Sequence, residues 1–148
     1  MQKDRIKWNA KYRDNEYPTE PSDIVTQFYS LAPLGRALDI AAGTGRNALF
    51  LARQGFTVDA VDISDVALRR LSDKHPNINP ICADFDDFSI PKDRYGLIIN
   101  INFLDRNLVP GICEGLIQGG MLIFETLRVD SEKKNRRASR ERSSPERE

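Results

Sequence analysis

The chain has 148 residues, enough for one domain with a real core, and carries 22 Lys plus Arg against 22 Asp plus Glu. A formal charge of zero argues against a protein that coats nucleic acid, because phosphate contacts need a basic excess. No apolar run approaches the roughly 18 residues of a membrane span, and Met1 to Arg5 is followed by no apolar stretch that would read as a secretory signal.

The zero charge averages two unlike parts. Residues 131–148 hold 7 basic and 4 acidic residues, whereas residues 1–130 hold 15 basic and 18 acidic. Ala138 is the tail's only apolar residue, so this segment reads as a disordered, solvated terminus. Its Arg-Ser content resembles RNA-binding tails, but interspersed glutamates weaken that reading. Cys82 and Cys113 sit in apolar segments outside any CxxC pair and read as buried thiols of a cytoplasmic protein. With one histidine, His75, there is little material for a zinc site or a His-dependent triad, and no metal is expected. His75 precedes Pro76 at an expected helix end, where it reads as capping or solvent-facing.

In chain order, residues 1–34 form a polar, partly helical lead-in with Trp8, Tyr12, Tyr17, Phe28 and Tyr29. Ser22 can cap a helix from Asp23 to Leu31. The aromatics either cover the flank of a sheet or form a lid over a crevice. Residues 35–130 then alternate strands and helices. Arg36–Ile40 is a strand entering a glycine turn, and Asn47–Arg53 is a helix with Ala48, Leu51 and Ala52 on one face and Gly55 as its stop. Thr57–Ile63 is a β-branched strand, and Ser64 caps a helix bearing Ala67, Leu68 and Leu71 that ends by Pro76. Ile81–Ala83 is a weaker strand limited by Pro80. Tyr95–Ile101 is a near-continuous apolar run, typical of a strand buried on both faces. A helix placing Val109, Ile112, Cys113, Leu116 and Ile117 on one face and closed by Gly119-Gly120 precedes a fifth strand, Met121–Thr126.

This alternation predicts an α/β, Rossmann-like, doubly wound and mainly parallel sheet in the order 3-2-1-4-5. Ligands of such sheets bind outside the carboxyl ends of the strands, where the winding reverses beside the first strand. Asp39-Ile40-Ala41-Ala42-Gly43-Thr44-Gly45 lies there. Its two glycines permit a sharp turn and close backbone approach, and the helix that follows offers unpaired N–H groups. With Ala48 the turn also reads as GxGxxA, which a dinucleotide-binding fold accepts.

The acids discriminate between ligands. Asp39 lies in the first strand, where it can fix the turn through backbone N–H groups and adds negative charge suited to a cationic ligand. Asp62 ends the second strand and can accept both hydroxyls of a ribose. Asp84 ends the third and can accept from an adenine amino group while Phe85 packs on the ring.

LDIAAGTGRNALFLARQGFTVDAVDIS, then ADFDDF, YGLIININFLDR and GGMLIFET, resemble the class I S-adenosylmethionine-dependent methyltransferases over residues 8–127. The nearest branch acts on small molecules and includes the tellurite-resistance and thiopurine methyltransferases. The resemblance implies S-adenosylmethionine as cofactor, with Asp39, Ala41, Gly43 and Gly45 around its methionine part. It further implies Asp62 on the ribose, Ile63 flanking the adenine, and Asp84 with Phe85 contacting it. Arg46 and Asn47 would open the first crossover helix, Tyr12 would close over the cofactor, and Asn100 would touch it. Phe103, Asp105 and Arg106 would face the substrate side, with Asp105 as the candidate for orienting the substrate or taking its proton. No residue is singled out as catalytic.

Two departures stand out. Ala41 occupies a position where many members have glycine, which requires a negative φ. The family's sheet also continues past the fifth strand into a helix and an antiparallel strand pair, so here the last two strands are expected to be lacking and the fifth strand to be a sheet edge, open to homodimer formation. The expected reaction is in-line methyl transfer to a small-molecule acceptor. The alternatives are a non-catalytic cofactor-binding remnant or interaction module, and an NAD-dependent oxidoreductase using the GxGxxA turn.

Overall fold

Tyr95–Ile101 forms strand β4, and all seven of its residues are buried, as expected of a parallel strand covered on both faces. The structure, a computed structural model, describes residues 2–14 and 17–126. Around β4 stand β1 (Arg36–Ile40), β2 (Thr57–Asp62), β3 (Ile78–Cys82) and β5 (Leu116–Glu125), in one five-stranded sheet ordered β3-β2-β1-β4-β5 with every pairing parallel. Leu38 lies between Asp59 of β2 and Ile98 of β4, so the winding reverses at β1 and opens a crevice at the carboxyl ends of β1 and β4. The five-stranded order expected from the sequence is the observed one.

Alternation along the strands divides the core in two. Ala37, Val58, Ala60, Leu97 and Ile99 pack with residues of α2 (Asp23–Phe28), α3 (Arg46–Arg53) and α4 (Asp65–Leu71). Leu38, Ile40, Val61 and Ile98 meet Leu108 and, from α5 (Val109–Gly115), Ile112. On that second face Phe85, Phe88 and Ile90, from the loop joining β3 to β4, add the remaining apolar cover. α1 (Gln2–Asp14) joins the domain through polar contacts with the start of α4: Arg5 Nε donates to the Ile63 carbonyl at 3.0 Å and Asn9 Nδ2 to Asp65 Oδ1 at 2.9 Å.

Several local expectations change. The fifth helix ends at Gly115 rather than near Gly119, and Leu116 and Ile117 belong to β5. The N–H groups of Asp93 and Arg94 take the carbonyls of Glu114 and Gly115, each at 2.9 Å, which withdraws them from further helix. Leu116 then pairs with Tyr95, and residues 117–120 bulge out before Met121 pairs with Leu97. β3 begins three residues earlier than expected and contains Pro80. The carbonyl of Asn77 accepts from Val58 and the N–H of Ala83 donates to Asp62, so odd-numbered residues bond to β2. Pro80, which lacks an N–H, therefore turns its backbone to the open edge.

Ser22 makes no side-chain cap for α2; its hydroxyl accepts from Asn47 Nδ2 at 3.3 Å. Ser64 caps α4 as expected, accepting from the Ala67 N–H at 3.1 Å. Both cysteines are exposed, not buried: Cys82 closes the edge strand β3, and Cys113 lies on the solvent side of α5. β5 is an edge of the described sheet, with Leu122 and Phe124 41% and 42% exposed. The charged segment 131–148 lies outside the described residues. Among those described, no helix is long and apolar enough to cross a membrane.

Candidate functional site

The turn after β1 is built from backbone and one carboxylate. Ala41 has φ +61°, contrary to the negative value its side chain would favour, and Gly43 (φ +61°) and Gly45 (φ +88°) follow in the same left-handed region. The Ala42 N–H donates to the Val61 carbonyl at 2.9 Å, tying the turn to β2. The Gly43 N–H donates to Asp62 Oδ2 at 2.8 Å, and the Ser64 N–H donates to Asp62 Oδ1 at 2.9 Å. The residue that fixes the turn is therefore Asp62, not Asp39. Asp62 stands at the end of β2, one step beyond the last paired residues of β1, where its two oxygens reach both loops.

Asp39 is left with a different character. Its side chain is 3% exposed, and Oδ2 has no hydrogen-bond partner. Burial first, then the neighbouring Asp62 carboxyl, raises its pKa from 3.8 to about 8, with the Arg46 guanidinium opposing. Asp62 is also raised by burial, against which the N–H groups of Ser64, Gly43 and Ile63 act. Two carboxyl groups that resist joint ionisation thus line one wall.

Both open on a cavity of about 710 Å³, inside the range of about 300–1,000 Å³ typical of small-molecule sites. Its floor is the glycine turn and its far wall the loops after β3 and β4. Tyr12, Asp39, Ala41, Gly43, Arg46, Asp62, Ile63, Asp84 and Phe85, all expected from the sequence, line it together. Gly45 does not. It caps the start of α3, where φ +88° favours glycine and a Cβ would run into the Leu71 side chain of α4. Asn100 does not line the cavity either. β4 continues to Ile101, and Asn100 lies between Ile40 and Phe124 at 1% exposure, behind the cavity wall.

The roof comes from the N-terminal segment. The hydroxyl of Tyr12 rests on Gly43, where an added Cβ would come within 2.8 Å of it. Tyr12 stacks at 5.8 Å on Trp8 and 4.9 Å on Tyr17, and its carbonyl accepts from the Arg70 guanidinium. Burial, together with the carboxyls of Asp62 and Asp39 and the Tyr17 phenol, pushes its own phenol above the ordinary range, so it stays protonated. The Ser22 N–H donates to Asn47 Oδ1 at 2.8 Å and Arg46 Nη1 donates to the Glu20 carbonyl at 3.3 Å, holding the segment that carries Tyr17 and Pro18 against α3. Trp8, Tyr12 and Tyr17 thus face the crevice, while Tyr29 packs edge-on against Phe50 at 5.0 Å and Phe28 is exposed.

On the opposite side Phe85 lies 5.3 Å from Phe103, and the Asp86 N–H donates to Asp84 Oδ1 at 2.9 Å. Asp105 lines the cavity while Oδ1 accepts from the Asn107 N–H at 3.0 Å, starting a short 3-10 helix. Arg106, expected beside it, does not line the cavity. Asp4 and Asp86 do line it and were not singled out in the sequence. Asp86 was available in the ADFDDF motif, but only the tertiary path of α1 brings Asp4 there. Among the described residues no group of three or more His, Cys, Asp or Glu could hold a metal ion.

A methyltransferase-domain family profile matches residues 37–115, and the chain belongs to that family. No curated protein matches it significantly. Among solved structures, an S-adenosylmethionine-dependent methyltransferase from Mesorhizobium loti is 23% identical, with TM-score 0.61 over 68% of this chain and 49% of its own. A TehB-like S-adenosylmethionine-dependent methyltransferase from Corynebacterium glutamicum is 20% identical, with TM-score 0.60 over 83% of this chain and 70% of its own. A glycopeptide N-methyltransferase complexed with S-adenosylmethionine is 22% identical, with TM-score 0.57 over 74% of this chain and 51% of its own. The chain thus spans about half the length of the first and third of these.

Proposed function

We propose that the chain binds S-adenosylmethionine in this cavity and transfers its methyl group to a small-molecule acceptor. The observation that carries the reading is Asp39: a buried carboxyl oxygen without a partner, lining a small-molecule cavity beside a glycine turn. A dinucleotide pyrophosphate would meet two carboxyl groups there, whereas a cofactor bearing ammonium and sulfonium charge supplies what Asp39 lacks. Family membership and a related fold that holds S-adenosylmethionine in the glycopeptide N-methyltransferase support the same assignment.

In this reading Asp39, with Ala41, Gly43 and Arg46, surrounds the methionine part, and Gly45 shapes the turn from below. Asp62 keeps acceptor capacity beyond its two backbone bonds and takes the ribose. Ile63 and Phe85 sandwich the adenine, whose amino group donates to Asp84. Tyr12 closes the methionine end from above and excludes water. The cofactor supplies an electrophilic methyl carbon, and the chain orients the acceptor against it, so positioning is the main contribution expected of the protein.

Titration calorimetry of the full chain with S-adenosylmethionine, S-adenosylhomocysteine and NAD tests the assignment. Binding of the first two and not of NAD is expected, and Asp62→Ala should weaken both by at least about tenfold, the loss of one charge-assisted bond or more. Binding of NAD alone would overturn it.

A further inference from the structure

α1 is attached to the domain differently from α3 and α4. A helix of a globular domain ordinarily docks by an apolar stripe. α3 buries Asn47, Ala48, Leu51 and Ala52, and α4 buries Ala67, Leu68 and Leu71. Of the thirteen residues of α1 only Tyr12 is buried, and Ile6 is 62% exposed. An isolated helix of this length is marginal in water, so its contacts with the domain decide whether it stays formed and docked.

Those contacts are polar and fall on one short stretch of chain. Asn9 Nδ2 donates to Asp65 Oδ1 at 2.9 Å, and Asn9 Oδ1 accepts from the buried Ser64 hydroxyl at 2.5 Å. Arg5 Nε donates to the Ile63 carbonyl at 3.0 Å, and the Arg70 guanidinium donates to the Tyr12 carbonyl. The Ser64 N–H in turn donates to Asp62 Oδ1 at 2.9 Å. Asn9, Ser64 and Asp62 thus form one chain of bonds from the helix to the carboxyl group assigned to the ribose. At the other end of α1, Tyr12 rests on Gly43, whose N–H donates to the second oxygen of Asp62. Hydrogen bonds of this kind replace bonds to water at small net gain, so a helix held by them alone opens more readily than one held by an apolar face.

We propose that α1 is a strap that opens to admit the cofactor and is latched shut by it, with Asn9 the positioning residue that ties the helix to Asp62 through Ser64. This rests on the cofactor reading above and deepens it. Tyr12 covers the methionine end only when α1 is docked, and only then does Asn9 hold the loop that carries Asp62. A ligand with more contacts in one state shifts the balance toward that state, and the docked helix tightens the ligand by the same factor. The strap acts on dissociation, because the cofactor leaves when α1 opens.

Trp8, the chain's single tryptophan, lies on α1, lines the cavity and stands 5.8 Å from Tyr12, so its fluorescence reports docking. In the full chain without ligand, hydrogen exchange read by mass spectrometry should show α1 amides exchanging at least about tenfold faster than those of α3. Saturation with S-adenosylhomocysteine should slow exchange in α1 at least about tenfold and move Trp8 emission to shorter wavelength. Asn9→Ala removes two bonds and should speed S-adenosylhomocysteine dissociation, read by stopped-flow on Trp8, about fivefold or more, while the urea midpoint followed by circular dichroism moves little. Arg5→Met keeps the stem, loses the bond to Ile63 and should act in the same sense. α1 amides as protected as those of α3 in the free chain overturn the strap. Binding without slower exchange in α1, or an Asn9→Ala dissociation rate equal to that of the wild type, overturns the coupling. Failure of S-adenosylhomocysteine to bind overturns the cofactor reading and the coupling with it, whereas the comparison of α1 with α3 in the free chain still decides the strap.

Discussion

Asp39→Asn should make the folded protein more stable as pH rises, the reverse of what removing a paired carboxylate does. Asp39 is 3% exposed, its Oδ2 has no partner, and Asp62 is the neighbouring charge, so ionising it in the folded state is costly. Its pKa rises from 3.8 to about 8 on folding. The folded chain therefore holds this proton more tightly than the unfolded chain does. The stability it contributes is complete below pH 3.8 and is lost as pH climbs through about 8. Across that window the linkage slope approaches about 1.4 kcal/mol per pH unit and accumulates to roughly 6 kcal/mol. Asparagine has the same shape and no charge to ionise, so it removes this slope. Urea denaturation followed by circular dichroism, run on both proteins from about pH 5 to about pH 8, reads it as a difference in unfolding free energy. The variant should gain on the wild type by several kcal/mol over that range. A pH-independent difference, or a wild type that gains as pH rises, would refute the argument that Asp39 is buried without compensation.

Because a bound cation would lower the pKa of Asp39, S-adenosylmethionine binding near pH 7 should release a proton and tighten as pH approaches 8, which calorimetry in buffers of different ionisation enthalpy will measure. Ala41→Gly should raise stability by up to about 1.5 kcal/mol. Relief of a left-handed alanine is worth about 1–2 kcal/mol and the extra freedom of unfolded glycine takes back about 0.5–1, so a lower melting temperature would contradict the strain at φ +61°. Tyr95→Phe should cost about 1–3 kcal/mol, because the Tyr95 hydroxyl donates to buried Asp59 Oδ2 at 2.6 Å and its loss leaves that oxygen unpaired. An unchanged denaturation midpoint would show that Asp59 finds another donor.

The sheet was legible in the chain because short, largely apolar runs bounded by turn residues read as buried parallel strands: β1 and β4 have the expected bounds to the residue. The same pattern misplaces the boundary between α5 and β5. Leu116 and Ile117 continue a helical stripe, yet the capture of two helix-end carbonyls by Asp93 and Arg94 turns them into strand. No local signal encodes that capture, since the donors lie more than twenty residues away in sequence.

The site divides in the same way. Sequence alone determined that Asp39, Asp62 and Asp84 meet at the crevice, because strand ends of a doubly wound sheet converge by topology and each of the three lies at or just beyond the carboxyl end of a strand. Tertiary structure decided what each of them does. Register set Asp62 one step past β1, where it rather than Asp39 could bond the Gly43 N–H. Burial kept Asn100 out of the cavity lining, because pairing between Ile40 and Phe124 leaves it only 1% exposed. The docking of α1 on α4 brought Asp4 to the cavity and Tyr12 over the turn from a helix with no apolar stripe of its own. The identities of these groups are written in the chain, but their ionisation and partners depend on burial and distance, which only the folded molecule establishes.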